Sequence, residues 1–123
     1  SYVYIAGVDD FYNGYPDVAG VAAQVSSADF VIFAGHSPDL MPAVLAAKSA
    51  DGDNHWFDLA LFGHTHGGQI NLFGHTPVGA RYLSGWLEES RAAVLVSNGV
   101  GTSGAPVRLF APPQVHLITL KAR

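Results

Sequence analysis

The sequence of 123 residues contains no cysteine. Disulfide bonds and thiolate metal sites are therefore excluded, but the compartment stays open because proteins without disulfides occur in all of them. Lysine and arginine are also scarce, with six in total against ten acidic residues, and they are scattered along the chain. A chain of formal net charge −4 without a basic stripe offers little to a phosphate backbone, so we expect no nucleic-acid partner.

Long apolar runs are missing as well. No stretch approaches the roughly 20 apolar residues of a membrane-spanning helix, and the first residues lack the basic-then-apolar pattern of a signal peptide. Because the chain begins inside a strand-like run and without Met, we expect it to be part of a longer polypeptide. A cytoplasmic or membrane-peripheral location is the expectation, and no compartment is assigned.

What the sequence does contain is enough apolar material for the core of one domain, with 49% hydrophobic residues. The runs in its first half are continuous, which is typical of strands buried on both faces with helices packed over them, and indicates an α/β fold. The predicted order in the first half is strand 2–6, helix 17–26, strand 30–34, helix 40–49 and strand 58–62. Asp17 and Asp39 are the predicted caps of the two helices, and Pro42 falls in the first turn of the second. After Gln69 we predict strands 94–97 and 115–120, joined by long loops.

Three histidines follow the ends of predicted strands, each strand being closed by a glycine. His36 comes after strand 30–34, and His64 and His66 come after strand 58–62. The carboxyl ends of parallel strands meet at the edge where α/β sheets bind ligands, and residues i and i+2 of an extended chain point to one side. We therefore expect the three imidazoles, which are good metal ligands, to converge near Asp9 or Asn98. The alternative is that they are separate surface turn residues.

These histidines belong to four segments that occur in a distinctive order: GVDD at 7–10, GHSPD at 35–39, GHTHGGQI at 63–70, and SNGVGTSG with the following PVR at 97–108. Together they resemble the calcineurin-like metallophosphoesterases, in particular the branch that is similar to UDP-diacylglucosamine pyrophosphatases and related bacterial phosphodiesterases. The resemblance covers nearly the whole chain.

The resemblance implies a fold, a metal centre and a reaction. The fold is the C-terminal half of an αββα sandwich, a mixed sheet with helices on one face. His36 and His64 would bind one divalent ion and His66 a second, with Mn, Fe or Zn as candidates. The chemistry is hydrolysis of a phosphodiester or pyrophosphate by a hydroxide that the two ions activate. No catalytic residue beyond these ligands is expected within the chain.

The chain also departs from the family pattern. The family's Asp-x-His pair, its Gly-Asp segment and its Asn-His pair all precede the region that resembles this chain, and none is present. Asn54-His55 lies between His36 and His64, where the pattern has no such pair, so we interpret His55 as a loop residue. Residues 1–123 are therefore expected to be the C-terminal part of a metallophosphoesterase domain, completed by an N-terminal half or by self-association across the exposed sheet face.

Substrate contacts are predicted for Arg108, Asn98 and Asp9. Arg108 has the planar fork that suits phosphate, although it can equally serve as a surface ion-pair partner. The loop from Asn98 to Gly104 can offer backbone N–H groups to a phosphate or can be a plain crossover. Asp9 and Asp10 can act on substrate or simply close a turn.

The remaining candidates are interpreted structurally. His75 lacks the second histidine of the motif and is expected to be a loop residue, while His116 is expected to lie in the terminal strand. Four apolar side chains of the irregular part can form a lip for a lipid-like substrate, but packing is the simpler reading: Leu72, Phe73, Trp86 and Leu87.

The sequence is compatible with two functions. The first is a metal-dependent phosphoesterase whose C-terminal half is this chain, acting on a small molecule or a lipid headgroup that carries a phosphoester or pyrophosphate. The second is a non-catalytic half-domain that binds a metal or serves in assembly. The order of the motifs favours the enzyme.

Overall fold

A computed structural model describes residues 2–70 and 82–122. Its centre is one five-stranded mixed sheet in the order β1-β2-β3-β5-β4. The first four strands in that order, β1, β2, β3 and β5, are parallel to one another, and β4 pairs antiparallel with β5. The predicted α/β class and mixed sheet are confirmed. The strands are β1 Val3–Gly7, β2 Phe30–Ala34, β3 Leu59–Phe62, β4 Gly85–Glu89 and β5 Ala92–Val96.

Two short helices connect the first three strands. Helix α1 spans Val18–Ala22, and its first turn is capped as predicted, since the Asp17 carboxylate accepts a hydrogen bond of 2.9 Å from Gly20 N. Helix α2 spans Met41–Ala46. Within the described ranges no helix is long and apolar enough to cross a membrane.

Helix α2 differs from its prediction at both ends. The predicted Asp39 cap is wrong: Ser37 caps a preceding 3-10 turn, while the Asp39 carboxylate accepts from two hydroxyl groups instead. The helix ends three residues early because the side-chain amide of Asn54 donates to the last carbonyls, at 3.0 Å from Ala47 O. That contact is supplied by a residue of the loop that follows the helix.

The core lies on one face of the sheet. The strand register places Ala6, Phe33, Ala60 and Val94 side by side, and all four are buried. Both helices pack on this face, through Val18, Ala22, Met41 and Val44. Helices on one face, as the resemblance implied, are confirmed, and the arrangement is consistent with half of a two-sheet sandwich.

The opposite face of the sheet is only partly covered. Leu59 and Leu95 are buried there, but Ile5 is 78% exposed and Trp86 57%. Helices α1 and α2 both pack on the core face, so neither of them covers this one. An apolar sheet face is thus open to contact with another surface.

Two predictions for the second half of the chain are wrong. The sequence predicts irregular structure around Trp86 and Leu87, but both lie in β4, an edge strand whose residues alternate between exposed and half-buried. Residues 115–120 form no strand, since no described strand lies beside them, and His116 is exposed instead of structural. A β-prone run without a neighbouring strand cannot satisfy its backbone by pairing.

Candidate metal centre

The loops that follow β2 and β3 meet at one edge of the sheet, as predicted from the strand ends. Gly35 N donates to Leu61 O and Gly63 N donates to His36 O, both at 3.0 Å, so pairing continues one step past the strands. Gly35 is required by close packing, because a Cβ at this position would lie 2.8 Å from both Leu40 Cδ1 and Phe62 Cε1. The loop backbones therefore carry His36 and His64 side by side.

His36 and His64 are in direct contact. His36 Nε2 lies 3.1 Å from His64 Nδ1, and both side chains are exposed. In the absence of a cation, one nitrogen must carry the proton that the other accepts. Two imidazole nitrogens at about 2.0–2.1 Å from one ion are separated by about 3 Å. The donor set and its spacing therefore fit two neighbouring ligands of a single divalent ion.

His66 lies in a sharply bent backbone. His64 and His66 have φ angles of 69° and 53°, and Gly67 and Gly68 continue with 63° and 80°. This left-handed conformation costs a residue with a side chain about 1–2 kcal/mol, and it is tolerated at sites that need an unusual side-chain direction. The expectation that the two histidines point to one side of an extended chain is wrong, since this segment is not extended.

The ring of His66 contacts a different loop. Its Nδ1 lies 3.2 Å from Gly101 O. A carbonyl oxygen only accepts, so this contact places the proton on Nδ1 and leaves a lone pair on Nε2. No group of three or more His, Asp or Glu side chains within residues 2–70 and 82–122 is arranged to hold one ion. The structure thus brings His36 and His64 together, but not all three, and their roles as ligands stay a prediction.

The GVDD loop is closed by its own carboxylates. Asp9 accepts from Asp10 N at 2.8 Å and from Tyr15 N at 3.2 Å, and Asp10 accepts from Asn13 N at 2.7 Å. The hydrogen bond from Asn13 lowers the pKa of Asp10 below its usual range, and the nearby His36 adds to the shift. These contacts correspond to the turn-closing alternative, while contact of Asp9 with substrate stays a prediction.

Tyr12 joins this loop to the histidine pair, and no sequence motif indicates this role. Its ring lies 5.2 Å from the ring of His64, and its hydroxyl donates to the Asp39 carboxylate. That hydrogen bond raises the pKa of Tyr12. Asp39 also accepts from Ser37 Oγ at 3.1 Å. The loops after β1, β2 and β3 are therefore tied together at one point.

Asn98 is buried behind the site loop. It is 5% exposed, its side-chain amide donates to Pro112 O at 2.9 Å, and its Oδ1 accepts from Ser84 Oγ. Gly67 packs against it so closely that any Cβ there would overlap the amide. The described contacts of Asn98 are internal to the loops, and its contact with substrate stays a prediction.

The Arg108 guanidinium faces backbone carbonyls. Nη1 donates to His66 O at 3.0 Å and to Ala111 O at 2.8 Å. Nη2 donates to Asn98 O at 2.8 Å and also to Gly101 O. Among the described residues, Arg108 Nε is the one buried side-chain nitrogen or oxygen without a hydrogen-bond partner. No described carboxylate pairs with Arg108, and its role as an anion clamp stays a prediction.

His55 lies away from this edge of the sheet. His55 lies between α2 and β3, with Nε2 at 3.6 Å from Asp58 Oδ1. The interpretation of His55 as a loop residue agrees with this position before β3. The predictions for Leu72, Phe73 and His75 fall outside the described residues.

Three of the known proteins that the chain resembles are described as uncharacterized metallophosphoesterases. The chain is 34% identical to the uncharacterized metallophosphoesterase YkuE of Bacillus subtilis, over 99% of this chain and 42% of that protein. It is 31% identical to an uncharacterized metallophosphoesterase of Aquifex aeolicus, over 100% of this chain and 47% of that protein. A Helicobacter pylori protein with the same description is 28% identical over 94% of this chain and 31% of its own length.

The chain spans less than half the length of each of these relatives. None of the three names specifies a substrate. No protein-family model matches the chain, and no solved structure matches it.

Proposed function

We propose that residues 1–123 are the C-terminal half of a metallophosphoesterase domain, and that the domain hydrolyses a phosphodiester or pyrophosphate. The similarity to proteins named metallophosphoesterases extends over 94–100% of the chain, which supports this family. The single observation that carries the chemistry is the contact of His36 Nε2 with His64 Nδ1 at 3.1 Å, at the edge of the sheet where α/β folds bind ligands.

The proposed centre would hold two divalent ions, with Mn, Fe or Zn as candidates. His36 Nε2 and His64 Nδ1 would hold one ion, and His66 Nε2 the other. When bound, such a pair supplies Lewis-acid activation of water and neutralises the charge that develops on the phosphoryl oxygens. The chain itself keeps the proton of His66 on Nδ1 through Gly101 O, so that Nε2 has a lone pair to offer.

The substrate contacts are a separate part of the proposal. The resemblance supports contact of Asn98 and Asp9 with a phosphoryl group, and a small molecule or a lipid headgroup as substrate, as in the branch similar to UDP-diacylglucosamine pyrophosphatases. It implies the same contact for Arg108, but the guanidinium already donates to backbone carbonyls, so substrate contact by Arg108 is not part of the proposal. Net charge −4 and scattered basic residues argue against a nucleic acid.

A non-catalytic assembly module is the second candidate, and the exposed sheet face favours it. Ile5 and Trp86 are 78% and 57% exposed on that face. Three imidazoles also balance little of the charge of two divalent ions without a bridging carboxylate. We therefore expect the chain alone to bind two ions weakly and to be inactive, and to require an N-terminal half or a second copy over this face.

Hydrolysis of bis-p-nitrophenyl phosphate with Mn²⁺ tests the proposal. The assay compares the chain alone with the longest polypeptide of the native reading frame that contains it, called the native polypeptide below. We expect hydrolysis by the native polypeptide only, abolished by a chelator and by His64→Ala. His55→Ala, a histidine away from the site, should retain full activity. Chelator-resistant hydrolysis, or full activity of His64→Ala, would contradict the proposal.

A further inference from the structure

Gln69 joins the histidine loop to the loop that follows β5. Its side-chain Nε2 donates to Ser103 O at 3.1 Å and to Ala105 O at 2.9 Å, and its Oε1 accepts from Ser103 N at 2.7 Å. The backbone adds a hydrogen bond from Leu109 N to Gln69 O at 2.8 Å. One side chain thus holds the two loops in a fixed register.

Arg108 holds both the backbone of His66 and the acceptor of its ring. Nη1 donates to the carbonyl of His66 itself at 3.0 Å. Nη2 donates to Gly101 O, the same oxygen that lies 3.2 Å from His66 Nδ1. Two donors therefore meet at Gly101 O, one from the guanidinium and one from the imidazole. The position of that oxygen, and with it the orientation of the ring, depends on Arg108.

The chemistry of an imidazole ligand makes this contact consequential. A neutral imidazole binds a cation through the nitrogen that carries no proton, and the partner of the other nitrogen decides which one that is. The carbonyl of Gly101 selects the Nδ1–H form. The left-handed backbone at His66, with φ of 53°, needs surrounding contacts to stay populated, and the guanidinium supplies one of them.

We infer that Gln69 and Arg108 form a clasp that positions His66, fixing its Nδ1–H tautomer and the direction of Nε2. The inference rests on the proposed function only for its consequence, namely binding of the second ion. It assigns Arg108 a positioning role, since its four closest described acceptors are backbone carbonyls. A phosphate clamp would instead need these donors for the substrate.

The tautomer of His66 is the direct readout, and it needs no metal and no substrate. Two-bond ¹H–¹⁵N correlation spectra of the metal-free native polypeptide should show His66 protonated on Nδ1. Arg108→Met and Gln69→Glu should each give a mixture of tautomers, because the first removes the guanidinium and the second turns two donor contacts into repulsion between oxygens. The signals of His36 and His64 serve as the internal control for folding.

Metal affinity and kinetics give the second readout. Loss of a partner that orients a ligand typically costs about 10–100-fold in metal affinity, so Mn²⁺ titration should show that loss in Arg108→Met and a smaller one in Arg108→Lys. At saturating Mn²⁺ the KM of both Arg108 variants for the substrate should equal that of the wild type. Arg91→Met, at an exposed turn, should behave like the wild type.

Several outcomes would overturn the clasp. An unchanged Nδ1–H tautomer in both Arg108→Met and Gln69→Glu would do so, and so would a raised KM with unchanged metal affinity, which indicates a substrate clamp. If Arg108→Met does not fold, Gln69→Glu decides alone. Failure of the proposed function is distinct, because it shows as absent metal-dependent hydrolysis in the wild type whatever tautomer His66 has.

Discussion

The two parts of the candidate centre are built differently. His36 and His64 follow adjacent parallel strands and contact each other directly, at 3.1 Å between ring nitrogens. His66 lies only two residues beyond His64, yet it is held by hydrogen bonds from a loop more than 30 residues away. The first part depends on the sheet, and the second depends on loops joined by Gln69 and Arg108.

Because the two parts are held by different contacts, different substitutions should disturb each of them. A change that disturbs the sheet core, such as loss of Phe33, should affect both parts together because both loops begin at its edge. A change in the loop after β5 should move His66 and leave the His36–His64 contact in place. Substitutions that act on one part alone therefore test whether the two parts are independent.

The largest effect is expected from removing a ligand. His64→Ala and His66→Ala should each lower metal-dependent hydrolysis by the native polypeptide by more than about 100-fold, beyond the range seen for loss of an outer partner. Steady-state rates at saturating Mn²⁺ measure this. Undiminished activity in His66→Ala alone would confine the centre to the His36–His64 pair.

A substitution at Gly67 should damage the His66 part selectively. Its φ is 63°, and an added Cβ would overlap the amide of Asn98, so Gly67→Ala should lower the free energy of unfolding by about 2–4 kcal/mol. Gly52→Ala is the matched control, since its φ is 83° with nothing within 4 Å of the added Cβ, and should cost about 1 kcal/mol. Urea unfolding measures both. Equal costs would show that backbone strain alone matters at Gly67.

Tyr12 should act on the pair and spare His66. Tyr12→Phe keeps the ring beside His64 but removes the hydroxyl that donates to Asp39, and should lower the stability only slightly because this hydrogen bond is exposed. Tyr12→Ala removes the ring as well, and should broaden the NMR signals of His64 while those of His66 stay sharp. A change at His66 of the same size would contradict the independence of the two parts.

The smallest effect is expected at Asp51, which has no described contact with either part. Hydrogen bonds from Ser27 and Ser49 lower its pKa below the ordinary 3.8. Because the folded pKa is the lower one, the stabilisation is complete above pH 3.8 and is lost as the pH falls through the folded pKa. Asp51→Asn should therefore flatten the acid limb of the unfolding curve without altering hydrolysis, and Glu88→Gln should leave both unchanged.

The sequence predicted the sheet well where apolar runs are continuous. Strand β2 lies at the predicted residues 30–34, and β3 and β5 lie within two residues of their predicted bounds. The prediction extends α2 too far because the contacts that end this helix come from Asn54, which no local pattern indicates. Strand β4 and residues 115–120 depend on the presence or absence of a neighbouring strand, and this is a property of the fold.

The candidate site was predictable in position but not in detail. Strand ends followed by histidines indicated the correct edge of the sheet for His36 and His64. The left-handed backbone at His66 could not be expected, because residues with side chains rarely adopt it. The contacts of Tyr12 with Asp39, of Gln69 with Ser103 and of Arg108 with His66 connect residues 27 to 42 positions apart, and only the folded chain brings them together.

The number of ions bound decides whether the three histidines serve two metal sites. The native polypeptide, His64→Ala and His66→Ala would each be loaded with Mn²⁺ and examined by metal analysis and by EPR for coupling between two ions. We expect two coupled ions in the wild type and one uncoupled ion in each variant, with different spectra because different ligands remain. A wild type that binds a single ion, or two variants that retain the same ion, would contradict this expectation.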